Sequence, residues 1–533
     1  MITEAPQKPI PAEIRIGVTG HRNVTARPEI LREIRAVLAE IDGILEDTPH
    51  RYHVISPLAE GADRIVAQVV LGWEGPALPP ALDVILPFAE EEYLRDFRTS
   101  ASRDEFAALL GRAASKVVLP ARETREEGYE EAGHAVVDRC DLLIALWDGK
   151  PGGGRGGTSE IVGYARETGR AYVHINPDGG TAGGSGTDAF FGGLRHLNSL
   201  NREETPRGTG GEMRRLSEAL RKGCENHGLP AGLIAPFEED IIPAFVRIDQ
   251  LAILYQKRHL NAGALIALLA TLAVATVTVQ VLFLPDHPEV LWLEFLEMAA
   301  VIGIISVSRH GEWHRRWIDY RIIAEQLRAY PFLVLAGMTP VGGSEDSLRD
   351  HDSDDWTGTV IAAFWKRPLS LPEHIEVGTR AIFNFIAGEY LEDQVRFYKK
   401  ATLRHESKDK KLEIAGISLF GVTMLASALH ALGVGHGPVH EAAFQFPAFL
   451  TVFAIVLPAL GGALATIQVQ REYRKNALRY DAIARRLTVL IRRMRASRTP
   501  EAAGETLKEA YALITSENQD WRVTLIVRQL HPV

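Results

Sequence analysis

Residues 261–284, NAGALIALLATLAVATVTVQVLFL, carry no charged side chain in 24 positions, and no other feature restricts the fold of this chain as strongly. At about 1.5 Å of rise per residue the segment makes a helix roughly 36 Å long, enough to cross the hydrocarbon core of a bilayer. Twelve of its residues are Leu, Ile, Val or Phe. Each favours insertion by about 0.3 to 0.6 kcal/mol, so the segment prefers lipid by several kcal/mol. Three more apolar stretches follow, at 290–308, 414–434 and 444–470. They predict two helical hairpins, joined at 285–289 (PDHPE) and 435–443 (GHGPVHEAA), neither of which contains Lys or Arg. Basic residues collect at the opposite ends: Lys257, Arg258, Arg309, Arg315 and Arg316 for the first hairpin, Lys408, Lys410, Lys411, Arg471, Arg474 and Lys475 for the second. The positive-inside rule then places both termini and residues 309–411 in the cytoplasm, with the chain a multi-pass protein of the inner (cytoplasmic) membrane. The opening MITEAPQKPI has no apolar core, so no cleaved signal peptide is expected.

Glu294 and Glu297 are the only acids within the spans. Two carboxylates near mid-bilayer would cancel most of the insertion energy of their span, so they cannot both face lipid near its centre. Snorkelling to the interface beside Trp292 and facing a pore are equally open readings. Pro447, Pro458 and the Gly461-Gly462 pair allow a kink and close helix contact in the last span. The hairpins also resemble each other. A shift of 160 residues lays Glu312, Tyr320, Ile323, Ala324 and Leu327 on Glu472, Tyr480, Ile483, Ala484 and Leu487. The last four positions fall at i, i+3, i+4 and i+7, which reads as a packing stripe on a helix leaving the membrane, and so as a pseudo-symmetric four-span bundle.

The 533-residue chain is too long for one domain. Its expected units are an α/β domain at 1–178, a Gly-rich linker and helical connector at 179–248, a first two-helix unit at 249–335, a connector at 336–392 and a second two-helix unit with C-terminal helices at 393–533. Two cysteines, Cys140 and Cys224, exclude a disulfide scaffold and make a reducing compartment the default. Residues 1–178 carry 20 Lys or Arg against 29 Asp or Glu, which disfavours long nucleic acids as partners.

Within 14–178 short β-rich runs alternate with helical stretches: 14–18, 52–56, 82–86, 115–119, 142–147 and 171–175. That alternation predicts a Rossmann-like parallel sheet covered on both faces, with ligands at the carboxyl ends of its strands. Three strand ends have distinctive chemistry. The first runs into Gly17-Val18-Thr19-Gly20-His21-Arg22, pairing small residues with a cation that can meet phosphate. The second runs into Ser56-Pro57-Leu58-Ala59-Glu60-Gly61-Ala62-Asp63-Arg64 and opens a helix. The fifth runs into a loop, 148–160, whose Gly156 and Gly157 precede Thr158 and Glu160 and make a backbone cradle for an anion. Together they predict a small phosphate-bearing ligand. A P-loop needs Lys before Ser or Thr, and here Gly157 precedes Thr158; the first strand has no G-x-G-x-x-G either. Residues 176–211 read as a flexible linker or ligand-covering loop, and the acidic stretch 342–355 as a solvated surface loop. No metal site is expected.

GVTGHR, SPLAEGADRIVA, DVILPFAEEEYLRDF and DLLIALWDGKPGGGRGGTSEIVGYA, in that order over residues 14–176, resemble the SLOG superfamily, which includes LOG and DprA-like proteins and the N-terminal region of TRPM channels. The helix pairs followed by EWHRRWIDYRIIAEQLR and EYRKNALRYDAIARRL, at 249–333 and 393–495, resemble SLATT effector domains. The resemblance implies a sensor of a nucleotide-derived signal joined to duplicated membrane effector units, acting as a homo-oligomer that forms a pore in an antiviral or other conflict system. Its ligand pocket would comprise Gly20, His21, Arg22, Glu60, Gly61, Asp63, Gly156, Gly157, Thr158 and Glu160. LOG phosphoribohydrolases read P-G-G-x-G-T-x-x-E, whereas here Glu160 follows Thr158 after one residue and position 161 is Ile161. Sensing is therefore favoured over hydrolysis. The alternatives are a membrane-anchored hydrolase of a nucleotide or NAD N-glycosidic bond, with Glu160 or Asp63 stabilising the oxocarbenium, and a membrane-tethered scaffold.

Overall fold

The computed structural model describes residues 8–75, 78–150, 154–178, 180–338, 356–365, 378–434 and 446–526. The expected acidic loop at 342–355 and the hairpin connection at 435–443 lie outside the described residues. The chain divides into two units, one of residues 1–204 with 339–369, the other of 205–338 with 370–533.

The first unit is an α/β domain on a seven-stranded sheet ordered β4-β3-β2-β1-β5-β6-β7. Its strands are β1 (Ala12–Gly20), β2 (His50–Ser56), β3 (Ala81–Leu86), β4 (Ser115–Val118), β5 (Leu142–Leu146), β6 (Ala171–Ile175) and β7 (Thr181–Ser185). The first six are mutually parallel, as their apolar runs predict: β5 is buried along its whole length, the mark of a strand covered on both faces. The intervening helices are α1 (Pro28–Ile44), α2 (Ala62–Leu71), α3 (Glu90–Tyr93), α4 (Ser100–Leu110), α5 (Arg125–Arg139), α6 (Thr158–Glu167) and α7 (Thr187–Arg202).

The expectation of a linker at 176–211 fails. Residues Thr181–Ser185 add an antiparallel edge strand to β6, and Thr187–Arg202 fold as a helix. Some of the glycines that read as flexibility serve close packing: a Cβ on Gly184 would stand 2.5 Å from the Tyr172 carbonyl. The helix is held by a buried stripe of Phe190, Phe191, Leu194, Leu197 and Leu200.

The second unit is helical: α8 (Thr209–Asn226), α9 (Ala235–Glu239), α10 (Ile241–Phe283), α11 (Leu291–His310) and α12 (Trp313–Leu335). The chain then returns to the first unit as α13 (Trp356–Trp365), which packs on α7 and β1. This ten-residue helix buries Trp356, Val360, Ile361 and Phe364 there, and a Cβ on Gly193 would meet Trp356 at 3.3 Å. The helical unit resumes with α14 (Thr379–Phe385), a π turn (Ile386–Leu391), α15 (Glu392–Ala431), α16 (Phe446–Arg471), α17 (Tyr473–Ala496) and α18 (Pro500–Ile526). Among the described residues four helices are long and apolar enough to cross a membrane. The four expected spans lie within α10, α11, α15 and α16 except for one to three residues at one end of each.

Two hairpins are evident. Helix α10 packs on α11, α12 and α16, and α15 packs on α16 and α17. The 160-residue stripe is a packing face: Ile323, Ala324 and Leu327 are buried on α12, and Ile483, Ala484 and Leu487 on α17. Tyr320 meets Tyr255 with ring centroids 5.8 Å apart, and Tyr480 meets Tyr398 at 5.6 Å, so each stripe grips the long helix of its own hairpin through a tyrosine pair. A buried charge network adds to the first grip. Arg321 pairs with Glu325 and reaches Asp249 of α10 at 3.3 Å, while Arg328 reaches Asp249 at 3.5 Å and Glu325 at 3.6 Å. Burial works against the Glu325 carboxylate, but the two arginines hold its pKa below the usual carboxylate value.

Candidate functional site

The order of the sheet reverses at β1, which has β2 on one side and β5 on the other, so the switch point at which doubly wound sheets bind ligands falls at the carboxyl ends of β1 and β5. Gly20 pairs with Leu146 in register, which brings the ends of these strands level. A Cβ on Gly20 would stand 2.4 Å from the Ala62 Cβ and 2.5 Å from the Leu146 carbonyl, so only glycine lets the loop after β2 close over the end of β1. The closure is fixed by two hydrogen bonds, from the His21 amide to the Leu146 carbonyl (3.1 Å) and from the Ala62 amide to the His21 carbonyl (3.1 Å). Gly61 has φ +78°, and a Cβ there would meet the Arg22 and His21 carbonyls at 2.4 and 2.6 Å.

Leu58, in the same loop, holds φ +58°, one of three non-glycine residues with positive φ among those described. Such a conformation costs about 1 to 2 kcal/mol and persists only where surroundings over-determine it. Here Leu58 is fully buried, its amide donates to Ser56 Oγ (3.0 Å) and its carbonyl accepts from Arg64 Nε (3.1 Å). Arg64 is itself buried and tied to Ser102 and Glu105 of α4 by hydrogen bonds of 2.8 to 2.9 Å. It is a structural cation, spent on shaping the loop.

Two helices point their N-termini at this edge. Gly61 caps α2 and Gly157 caps α6, neither with a side-chain cap hydrogen bond, and first-turn amides with a positive dipole end favour an anion. Gly156, at φ +78°, packs on α5: a Cβ would stand 2.8 Å from the Glu130 amide and 2.9 Å from the Tyr129 Cβ. Arg155 fastens the same loop to α5 through Glu127 (2.9 Å) and Glu130 (2.5 Å). Tyr129 is thus shared: the Arg22 guanidinium lies 4.7 Å above its ring, and Gly156 touches its Cβ.

The loops after β1, β2 and β5 therefore come together, and with them Gly20, His21, Arg22, Gly61, Asp63 and Gly156. His21 Nε2 lies 3.0 Å from Asp148 Oδ1, the residue that follows β5 and Trp147. That contact, together with the Lys150 amide, holds the Asp148 carboxyl down at about 2. Asp63 is 5% exposed and accepts from the Ala59 amide (3.1 Å). Burial pushes its carboxyl up to about 7, against the pull of the Ala59 amide, Arg22, Arg64 and Ser56. Gly157 and Thr158 form the cap and first position of α6. Glu60 turns away to accept from Ser102 of α4, and Glu160 accepts from the Gly156 amide at 2.5 Å, folding its carboxylate onto its own loop.

Sequence reasoning missed the wall of this site. Tyr129, Arg125 and Asp96 form a hydrogen-bonded set beside Arg22, with Tyr129 and Arg125 both donating to Asp96. They come from α5 and from the short turn 94–96 after β3. The start of α5 was legible as a capping box, Thr124 with Glu127, but nothing local marks Tyr129 as lying under Arg22.

None of the curated proteins matches the chain. Residues 389–521, which hold the second hairpin and its following helices, match the family described as SMODS and SLOG-associating 2TM effector domain 1, so about a quarter of the chain is a domain of that family.

Proposed function

We propose that this protein is a membrane effector of the bacterial conflict type, in which the N-terminal unit binds a small nucleotide-derived ligand and that binding assembles or opens a path through the membrane. The observation that carries the reading is the meeting of three loops and two glycine-capped helix N-termini at the switch point of the sheet, beside Arg22. Three of the four motifs that resemble the SLOG superfamily sit at these strand ends and the fourth at β3, and the family matched at 389–521 is described by its association with SLOG and by two membrane helices. We read the first hairpin as a second copy of that architecture, the chain as a homo-oligomer of the inner membrane, and both termini as cytoplasmic. Because Glu160 spends its carboxylate on the Gly156 amide, ligand sensing is favoured over glycosidic hydrolysis.

The route of coupling follows from connectivity. The segment joining the two hairpins gives α13 to the first unit, so one helix seated beside β1 is covalently continuous with both pairs of spans. A ligand that binds one packing of this unit more tightly than another shifts the equilibrium by that difference in affinity and no more. The test is release of a trapped dye from vesicles containing the full chain, on addition of ATP, ADP-ribose or cyclic di-AMP. Nucleotide-dependent release that disappears in Arg22→Ala supports the reading; no release by wild type, or release unchanged in Arg22→Ala, refutes it.

A further inference from the structure

Glu297 is an acid inside a membrane span that does not snorkel. It is 5% exposed, turned from α11 onto α10, with both carboxylate oxygens 3.2 Å from Thr276 Oγ1. It stands seven positions past Val290 at the hairpin turn, which at about 1.5 Å per residue places it roughly 10 Å into the span. Its neighbours Phe295, Leu296 and Met298 are exposed on the outer face of α11, where lipid would lie. Glu294, one turn closer to the end of the hairpin, is half-buried.

A threonine hydroxyl carries one hydrogen, whereas a carboxylate offers about four acceptor sites. Thr276 therefore satisfies only a fraction of this group. The other buried polar side chains of α10 within the span do not supplement it: Thr271 and Thr278 donate to carbonyls of Ala267 (3.0 Å) and Val274 (2.6 Å), and Gln280 to that of Leu284 (3.3 Å). The four spans contain no Lys or Arg, and their one histidine, His430, stands on α15, which packs chiefly on α16 and α17. An intramembrane carboxylate without a protein counter-charge is costly, and such groups mark ion pathways.

We propose that Glu297 is the cation-selecting group of the membrane path, a station for small monovalent cations such as potassium and sodium. This rests on the pore reading above. In the packed hairpin Thr276 holds the carboxylate; when the helices rearrange, Glu297 exchanges that hydroxyl for water and a passing cation. In a closed ring of copies each chain adds one such group, the arrangement by which rings of acidic side chains select cations.

The experiment is the reversal potential of the full chain in planar bilayers under a KCl gradient, before and after ATP, ADP-ribose or cyclic di-AMP. Wild type should pass cations in preference to chloride by about tenfold or more, Glu297→Gln should lose that preference while still conducting, and Glu297→Lys should favour chloride. Openings in Glu297→Gln with the wild-type preference overturn the station and leave the pore reading intact. Should Glu297→Gln fail to assemble, Glu297→Asp keeps the charge and must keep the preference; its loss there also overturns the proposal. A wild-type chain silent with and without nucleotide overturns the station and the pore together.

Discussion

Glu312 and Glu472, 160 positions apart, hold the same left-handed backbone conformation, at φ +49° and +43°, and each stands at the N-terminus of the helix that follows a returning span. The relationship ties a weak sequence repeat to a specific backbone feature: both chains leave the span through one strained residue and then lay a Tyr-Ile-Ala-Leu stripe on the long helix.

That strain is testable. A non-glycine residue in this region costs about 1 to 2 kcal/mol, which glycine avoids at the expense of greater freedom in the unfolded chain. The Glu472–Lys475 contact, 3.6 Å with Lys475 exposed, contributes little against it. Glu472→Gly should therefore be tolerated better than Glu472→Val in detergent, by about 1 to 2 kcal/mol, with the same order at Glu312. Chemical unfolding that ranks Val above Gly would contradict the shared conformation.

Gly61 has neither space nor backbone freedom for a side chain, since its Cβ would stand 2.4 Å from the Arg22 carbonyl at φ +78°. Gly61→Ala should destabilise the first unit by about 1 to 3 kcal/mol and open the joint between the loops after β1 and β2. Calorimetry should show nucleotide binding weakened along with stability. Arg22→Ala differs: it should weaken binding at a smaller cost in melting temperature than Gly61→Ala, because it removes the stacking on Tyr129 without creating a backbone clash.

Asp63 makes stability depend on pH in the direction opposite to most carboxylates. Its folded pKa, about 7, lies above its ordinary value, so the folded state holds the proton more tightly than the unfolded state does. Stability is then lost as pH rises from about 4 to about 7 and is flat above that, by roughly 4 kcal/mol from this group. Asp63→Asn should flatten that slope while costing little at pH 8. A wild-type chain whose unfolding midpoint rises steadily across the same window, with no change in slope in Asp63→Asn, would contradict this assignment.

Trp356 packs α13 against Gly193 and the His196 ring, at a centroid distance of 6.0 Å. Trp356→Ala should cost about 3 to 5 kcal/mol of local stability. Hydrogen exchange should show α13 losing protection first. If α13 is the route of coupling, dye release should also lose its nucleotide dependence while ligand still binds.

The parallel sheet and the four spans were legible because each depends on a short, local pattern: runs apolar on both faces for strands, charge-free stretches for spans. The edge strand Thr181–Ser185 was not, because its TAGGS composition has the signature of a loop and becomes a strand only when Tyr172 of β6 offers a partner. Nor was the return of Trp356–Trp365 to β1, a contact across more than 330 positions with no local signal. At the site, the glycines and Arg22 announced themselves at strand ends, while Tyr129 and Asp96 depend on how α5 and the turn after β3 fold back over the crevice. The roles of Glu60 and Glu160 also needed coordinates, since each carboxylate is occupied by a neighbour the sequence does not place beside it.

The claim on which the account rests most is that one chain joins an anion-recognising unit to four membrane crossings with both ends on one side. Single cysteines at Lys8, Pro288 and Glu505 can be tested with a membrane-impermeant maleimide in right-side-out spheroplasts, where native Cys140 and Cys224, both buried, give little background. The account predicts labelling at Pro288→Cys in intact cells and at Lys8→Cys and Glu505→Cys only after lysis. Labelling of Lys8→Cys and Glu505→Cys from opposite sides, or protection of Pro288→Cys until lysis, would contradict it.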